Sequence, residues 1–442
     1  MGLSPRLEQG KGAKQIEGSS AVLPKAPRWK VRYSILILLW ACSLLSLFDR
    51  MVINVSLPLI GKEFGINEAA QGFLISLSFL SSSLFQIPGG LITDRIGNRK
   101  AVTFSIGWAS LFTPLTGLAF SYPMLLIVRC LLGAGSALAA GAYMRIMVTF
   151  FPLKERATAK AISASVNSLA PAVATIVAAT IIGVYGWRVV FIMLGIPGIL
   201  IVSYLWFRFK DNPAEYPKIT PKELAELRSS AEWEERMVAA DSQITYGEFL
   251  RKPILWQLVL VWFFFDFTYW GFTTWLPSYL MTVKGFSLAK TGVYGALPYL
   301  IGTISMIYGG YLSDRLIGRR KWLFVPGALL AALALSLMIY APSDTMTILY
   351  QCIAAAALFM AFGSFGGMQF DGLPKHIIAS ASATVNTAGQ LAGLFSPFLL
   401  GYLIEVNGGS YTTAFLVMIL SLILASGVAL TIQCKEWGRK NE

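Results

Sequence analysis

Along most of its 442 residues the chain alternates between apolar runs of about twenty residues and short polar joints rich in Lys and Arg. A run of that length crosses the roughly 30 Å hydrocarbon layer of a bilayer as an α-helix. The pattern predicts twelve spans, near 33–56, 69–93, 101–120, 122–147, 158–184, 187–208, 253–282, 289–313, 322–341, 345–370, 377–404 and 410–434. The runs lack the short segments of strict alternation that mark a membrane β-barrel, so the expected class is an all-α membrane protein.

The polar stretches divide the chain. Residues 1–30 are basic and Gly/Ser-rich and read as a disordered tail. A cleavable signal peptide does not fit, because the charged region is long and no small-residue cleavage site follows the first apolar run. Residues 31–208 form a first six-helix bundle, 209–252 a polar central loop, 253–434 a second bundle and 435–442 a closing tail. Within the loop, Pro221–Arg228 reads as a short amphipathic helix on the membrane surface, its charges forming a solvated face.

Composition agrees with this division. The chain is 55% hydrophobic and 13% charged, against about 25% charged in a soluble domain. The net charge of +13 is not a nucleic-acid footprint, because it is spread over tails and joints. Arg95–Lys100, Lys154, Arg156, the central loop, Arg315–Lys321, Lys375 and the closing tail share one face, while Lys62, Arg188, Lys284 and Lys290 take the other. Basic joints stay inside, so both termini are expected to be cytoplasmic, in a plasma membrane of the bacterial inner-membrane kind. Cys42, Cys130, Cys352 and Cys434 are scattered, and His376 stands alone in a turn. That leaves no metal-ligand spacing, no Ser/His/Asp set and no phosphate loop, so neither an enzyme nor a cofactor is expected.

One phrase is written twice. Gly90-Leu-Ile-Thr-Asp94-Arg95-Ile-Gly97-Asn-Arg99-Lys100 returns as Gly310-Tyr-Leu-Ser-Asp314-Arg315-Leu-Ile-Gly318-Arg319-Arg320-Lys321. A repeat at half the chain length implies two homologous bundles with a site between them. With twelve spans, the long central loop and this duplicated turn, the chain resembles the major facilitator superfamily. That resemblance implies the major facilitator fold, two pseudo-symmetric six-helix bundles. It also implies that Gly90, Asp94, Arg95, Gly97 and Arg99, with Asp314, Arg315, Gly318 and Arg319, belong to a charge network closing the cytoplasmic side.

A narrower resemblance, to the anion:cation symporter family, covers most of the chain. It rests on Phe48-Asp49-Arg50, Phe150-Phe151-Pro152 with Glu155-Arg156-Ala157, Trp187-Arg188, Trp275-Leu276-Pro277, Asp371 with Pro374-Lys375, and Asn386 through Gly389-Gln390 to Pro397. It implies import of organic anions, mostly sugar acids and other carboxylates, with protons.

Ionisable groups at bilayer depth are costly, so they should border a cavity and have partners. Asp49 and Arg50 are adjacent in the first span, about 100° apart around the helix, and can border one cavity without forming an ideal pair. Arg50 offers a fork to a carboxylate. Asp49 can carry a proton; the competing reading is a structural ion pair. Arg129 precedes Gly133, Gly135 and Ser136, small residues that permit close helix approach. It faces the interior, where the resemblance implies anion binding, or else it snorkels outward. The family often has a glutamate where Ser136 stands, which puts two-proton coupling in question. Asp266 is a second proton carrier, a fixed counter-charge or a cavity residue in contact with water. Arg145 belongs to the gate side. Asn54, Gln86, Asn167, Asn386 and Gln390 can read hydroxyls, the last two from one helix face, and Tyr269 is a candidate pocket aromatic.

Together these features give an expected monomeric carrier that imports a small organic anion, a carboxylate of the sugar-acid kind, by proton symport and alternating access. The alternative is an anion exchanger or exporter without net proton flow. A solute sensor is a third class, disfavoured because the loops supply no signalling domain.

Overall fold

The computed structural model describes residues 30–152, 155, 159, 162–240, 246–316, 319–372 and 378–433. The tail before Lys30, Gly318, Lys375, His376 and the closing tail 435–442 lie outside the described residues. Twelve long helices account for the chain's crossings: α1 (Val31–Phe64), α2 (Glu68–Ile96), α3 (Asn98–Gly117), α4 (Tyr122–Phe150), α5 (Val166–Tyr185), α6 (Trp187–Arg208), α7 (Pro253–Thr282), α8 (Leu288–Asp314), α9 (Lys321–Ile339), α10 (Asp344–Gly372), α11 (Ile378–Val406) and α12 (Thr412–Thr431).

Nine of these helices are long and apolar enough by themselves to cross a membrane among the described residues. The other three, α2, α3 and α8, carry polar positions that are turned onto neighbouring helices. Gln71, Ser76 and Ser81 on α2, Thr103, Ser105, Ser110 and Thr113 on α3, and Thr291 on α8 are all buried. Ser81, Ser105 and Ser110 donate their hydroxyl protons to nearby carbonyls, as Ser105 Oγ does to the Gly135 carbonyl at 2.9 Å, so these groups do not face hydrocarbon unsatisfied. Helix ends follow local chemistry. Asn67 caps α2 by accepting from the Ala70 N–H at 2.9 Å, and Gly97, at φ +87, makes the single-residue joint between α2 and α3. Helix α1 runs two turns past the expected end, because Leu57 and Ile60 beyond it are buried in the first core.

In the first six helices α2 packs on α4, α3 on α4 and α6, and α1 on α5 and α6. Adding six to each label gives the pairs of the second set: α8 on α10, α9 on α10 and α12, α7 on α11 and α12. The two bundles are therefore pseudo-symmetric. They meet along α2–α11, α5–α8 and α1–α7, pairs that the same shift of six exchanges or preserves.

Among the described residues, the contact between bundles is tight toward the face opposite the start of α1 and the end of α12. A Cβ on Gly72 of α2 would lie 2.2 Å from the Pro397 carbonyl oxygen of α11. Nearby, Phe73 meets Phe398 edge-on at 6.0 Å, and Asn67 Nδ2 donates to Glu405 Oε1 at 2.7 Å. Further in, Phe79 lies against Gly393. Seven residues on along each helix, on the same faces, Gln86 and Asn386 are exposed. The helices thus diverge toward the face where α1 begins and α12 ends.

The central loop departs from expectation. Its helix is longer, Pro221–Ala240, and its charges are not simply a solvated face. Arg32, at the start of α1, is 1% exposed. Its Nη2 donates to Glu155 Oε1 at 2.9 Å and to Glu226 Oε2 at 3.1 Å, while its backbone N–H donates to Glu223 Oε1 at 3.3 Å. A buried guanidinium needs carboxylates around it, and the loop helix supplies two.

Candidate functional site

Asp49 and Arg50 sit near the middle of α1, and Arg129 comes from α4. Helix α4 is brought close to α2 by its glycines: a Cβ on Gly133 would stand 2.1 Å from Ser81 Oγ and 2.3 Å from the Ser78 carbonyl oxygen. That approach turns Arg129 into the protein interior, where it is 2% exposed. Its Nη1 donates to Asp49 Oδ2 at 2.8 Å, and its guanidinium lies 5.1 Å from the centre of the Phe191 ring. Asp49 is thus joined to the helix α4 cation across the bundle and not to its neighbour in sequence. Arg129 Nε and Nη2 and Asp49 Oδ1 are buried without a hydrogen-bond partner among the described residues.

Arg50 is the uncommitted charge. Its guanidinium lies 4.9 Å from the centre of the Phe79 ring, a favourable cation–π distance. Among the described residues it makes neither an ion pair nor a hydrogen bond. Two hollows meet at these cations, and Arg50, Ser78 and Arg129 border both. One lies between the bundles, with Asn54, Phe79, Trp270 and Thr274 in its wall. The other lies within the first bundle and reaches α3 and α6 through Ser110, Thr113 and Leu194; Ser136 of α4 lines it as well. Among the described residues, Asp49 is the only acid in either lining.

The remaining expected residues fall in several places. Asn54 Nδ2 donates to the Thr273 carbonyl at 3.1 Å, bridging the bundles, and its Oδ1 is buried and unpaired. Tyr269 donates its hydroxyl proton to the Asn167 carbonyl at 3.1 Å, a second bridge between the bundles; the Asn167 side chain is half-buried. Asp266 is 6% exposed, and its Oδ1 has no partner. A Cβ on Gly389 would come within 2.6 Å of Trp262 Nε1 and closer still to the Asp266 carboxylate. Gln390, next along α11, is half-buried with Oε1 unpaired. Gln86 and Asn386 stand on the diverging stretch and line neither hollow.

The repeated turn is only partly visible. Gly318 is outside the described residues, as are the side chains of Asp94 and Asp314. Arg95 and Arg319 are exposed. Gly90 has open space where a side chain would be. Around Gly97, the Asp211 carboxylate accepts from the Arg99 N–H at 2.7 Å, and the Arg99 guanidinium donates to the Trp206 carbonyl. Arg315 donates to the Tyr311 hydroxyl. Arg99 and Arg315 are thus held by residues near them in their own half of the chain. Phe79 and Thr273 escaped the sequence reading, because an aromatic or hydroxyl residue within an apolar run carries no signal of what crosses it.

The sequence profile of the Major Facilitator Superfamily matches residues 39–397. The "Probable sulfoacetate transporter SauU" of Cupriavidus necator is 31% identical over 88% of this chain and 91% of its own length. The "Probable galactarate/D-glucarate transporter GarP" of Escherichia coli K12 is 28% identical over 85% of this chain and 88% of its own length. Among solved structures, a bacterial homologue of the human lysosomal transporter Spinster shares the fold, with a TM-score of 0.74 and 22% identity over 90% of this chain and 96% of that one.

Proposed function

Since the chain belongs to the Major Facilitator Superfamily, and is therefore a multi-pass membrane transporter and not an enzyme, we propose that it carries a small organic anion into the cell by alternating access, with protons as the coupling ion. The relatives named above are named for sulfoacetate and for galactarate and D-glucarate, all small organic acids. The anion:cation symporter resemblance points to a carboxylate of the sugar-acid kind. The observation that carries the reading is Arg50: a cation at the border of two hollows, without an acidic partner of its own among the described residues.

In this reading Arg50 and Arg129 take the solute's anionic group. Asn54, Gln390 and Tyr269, with Gln86, Asn167 and Asn386 along the opening, read its hydroxyls. Asp49 gains a proton, releases Arg129 and lets the loaded carrier rearrange; Asp266 serves as a second proton-accepting carboxyl. The diverging face is the cytoplasmic one by the positive-inside rule, so the conformation is inward-open and both termini are cytoplasmic. The gate arginines Arg95, Arg99, Arg315 and Arg319 then await closure on that side. Coupling has a physical reason, because an inside-negative potential opposes an unaccompanied monoanion by about 2.3 kcal/mol per 100 mV. The carrier is proposed to work as a monomer.

The test is uptake into proteoliposomes under an inward proton gradient. Arg50→Ala should abolish uptake with folding intact, and Asp49→Asn should block gradient-driven accumulation more than counterflow. Uptake by Arg50→Ala at the parental rate removes that residue from the site. Exchange without net proton flow is the second reading, favoured by Ser136 where the related carriers often have a proton-accepting glutamate. Counterflow unaffected by collapse of the gradient, with no accumulation, would establish it.

A further inference from the structure

The hollow inside the first bundle is not needed to hold a single carboxylate at Arg50. It reaches α3 and α6, helices that pack chiefly within the first bundle, and its cavity volume is about 60 Å³. Arg129 borders it with two N–H edges unpaired at 2% exposure. Its walls carry the hydroxyls of Ser46, Ser110, Thr113 and Ser136. Three of these rest on carbonyls of their own helices, at 3.1 Å for Ser46, 2.7 Å for Ser110 and 2.7 Å for Ser136, and rotation about a single bond frees them for a guest.

Charge leads to the same place. Arg50 and Arg129 face one carboxylate, Asp49, so the lining holds an excess positive charge while Asp49 is ionised, and a second when Asp49 is protonated. Uncompensated charge at bilayer depth is costly. A monoanion neutralises only the state with Asp49 ionised. The state that carries solute and proton together calls for two negative charges from the solute.

We infer that the transported solute is a dianion, whose first acidic group sits at Arg50 between the bundles and whose second enters the hollow beside Ser136 and the unpaired edge of Arg129. This rests on the anion-carrier reading above and narrows its substrate class.

The test is binding to the purified full-length protein by titration calorimetry, using pairs of acids that differ only in the second acidic group: glucarate against gluconate, and succinate against butyrate. The dianion should bind at least tenfold more tightly in each pair that binds. Ser136→Leu, which fills the hollow without adding charge, should weaken the dianion at least tenfold and the monoanion less than twofold. Equal affinities within the pairs, or equal weakening of both members by Ser136→Leu, overturn the inference and leave the anion-carrier reading standing. Absence of binding by all four acids overturns that reading too. Should Ser136→Leu fail to fold, the ratios in the unaltered protein decide.

Discussion

Asp49 uses one oxygen on one edge of Arg129, and that economy decides what each charge can do. Removing one member of a buried ion pair leaves the other uncompensated, at a cost of about 3–5 kcal/mol. Asp49→Ala should therefore lower thermal stability more than the double variant Asp49→Ala/Arg129→Ala does, which a thermal-shift double-mutant cycle in detergent reads directly. Additive losses would show that the pair contributes no coupling. Asp49, Arg50 and Arg129 were legible in the sequence because an ionisable residue in an apolar run is too costly to be incidental. Their pairing was not. Asp49 lies beside Arg50 in the chain but bonds a residue 80 positions away, and only the glycines that draw α4 onto α2 decide that.

At the level of helices, the same small residues set which ends of the bundles can touch. A Cβ at Gly72 meets a backbone carbonyl at 2.2 Å, and backbone cannot swing aside as a side chain can. Gly72→Ala should part α2 from α11 and deplete the conformation described above. Spin labels at the exposed positions Lys62 and Val406 should then show a longer distance by electron double resonance; an unchanged distance would mean that α11 shifts to absorb the methyl group. Helices α6 and α7 begin and end where the pattern put them, because Gly186 and Pro253 punctuate the chain there. The expected end of α1 fell short because the apolar pattern weakens after residue 56, while Leu57 and Ile60, buried in the first core, keep the helix going through Pro58.

For the molecule as a whole, the least legible feature is Arg32 and its three glutamates, since nothing local links residues so far apart in sequence. Partial burial alone would raise the pKa of Glu226, but the Arg32 hydrogen bond and the charges of Lys30, Arg32 and Lys222 outweigh that and hold it below the ordinary carboxylate range. The contact thus contributes stability above the unfolded value of about 4.3, and loses it as pH falls through the lower folded value. Limited proteolysis of the loop should stay slow at neutral pH and speed up only below about pH 4, and Glu226→Gln should already cleave faster at pH 7. Cleavage at one rate across that range would count against the contact. In the alternating access proposed above, the bonds from Arg32 carry the loop helix along with the first bundle, as cargo strapped to one side. A fluorescent protein spliced in just after Ala240 would then report the swing of the second bundle relative to that side, and transport should tolerate the passenger.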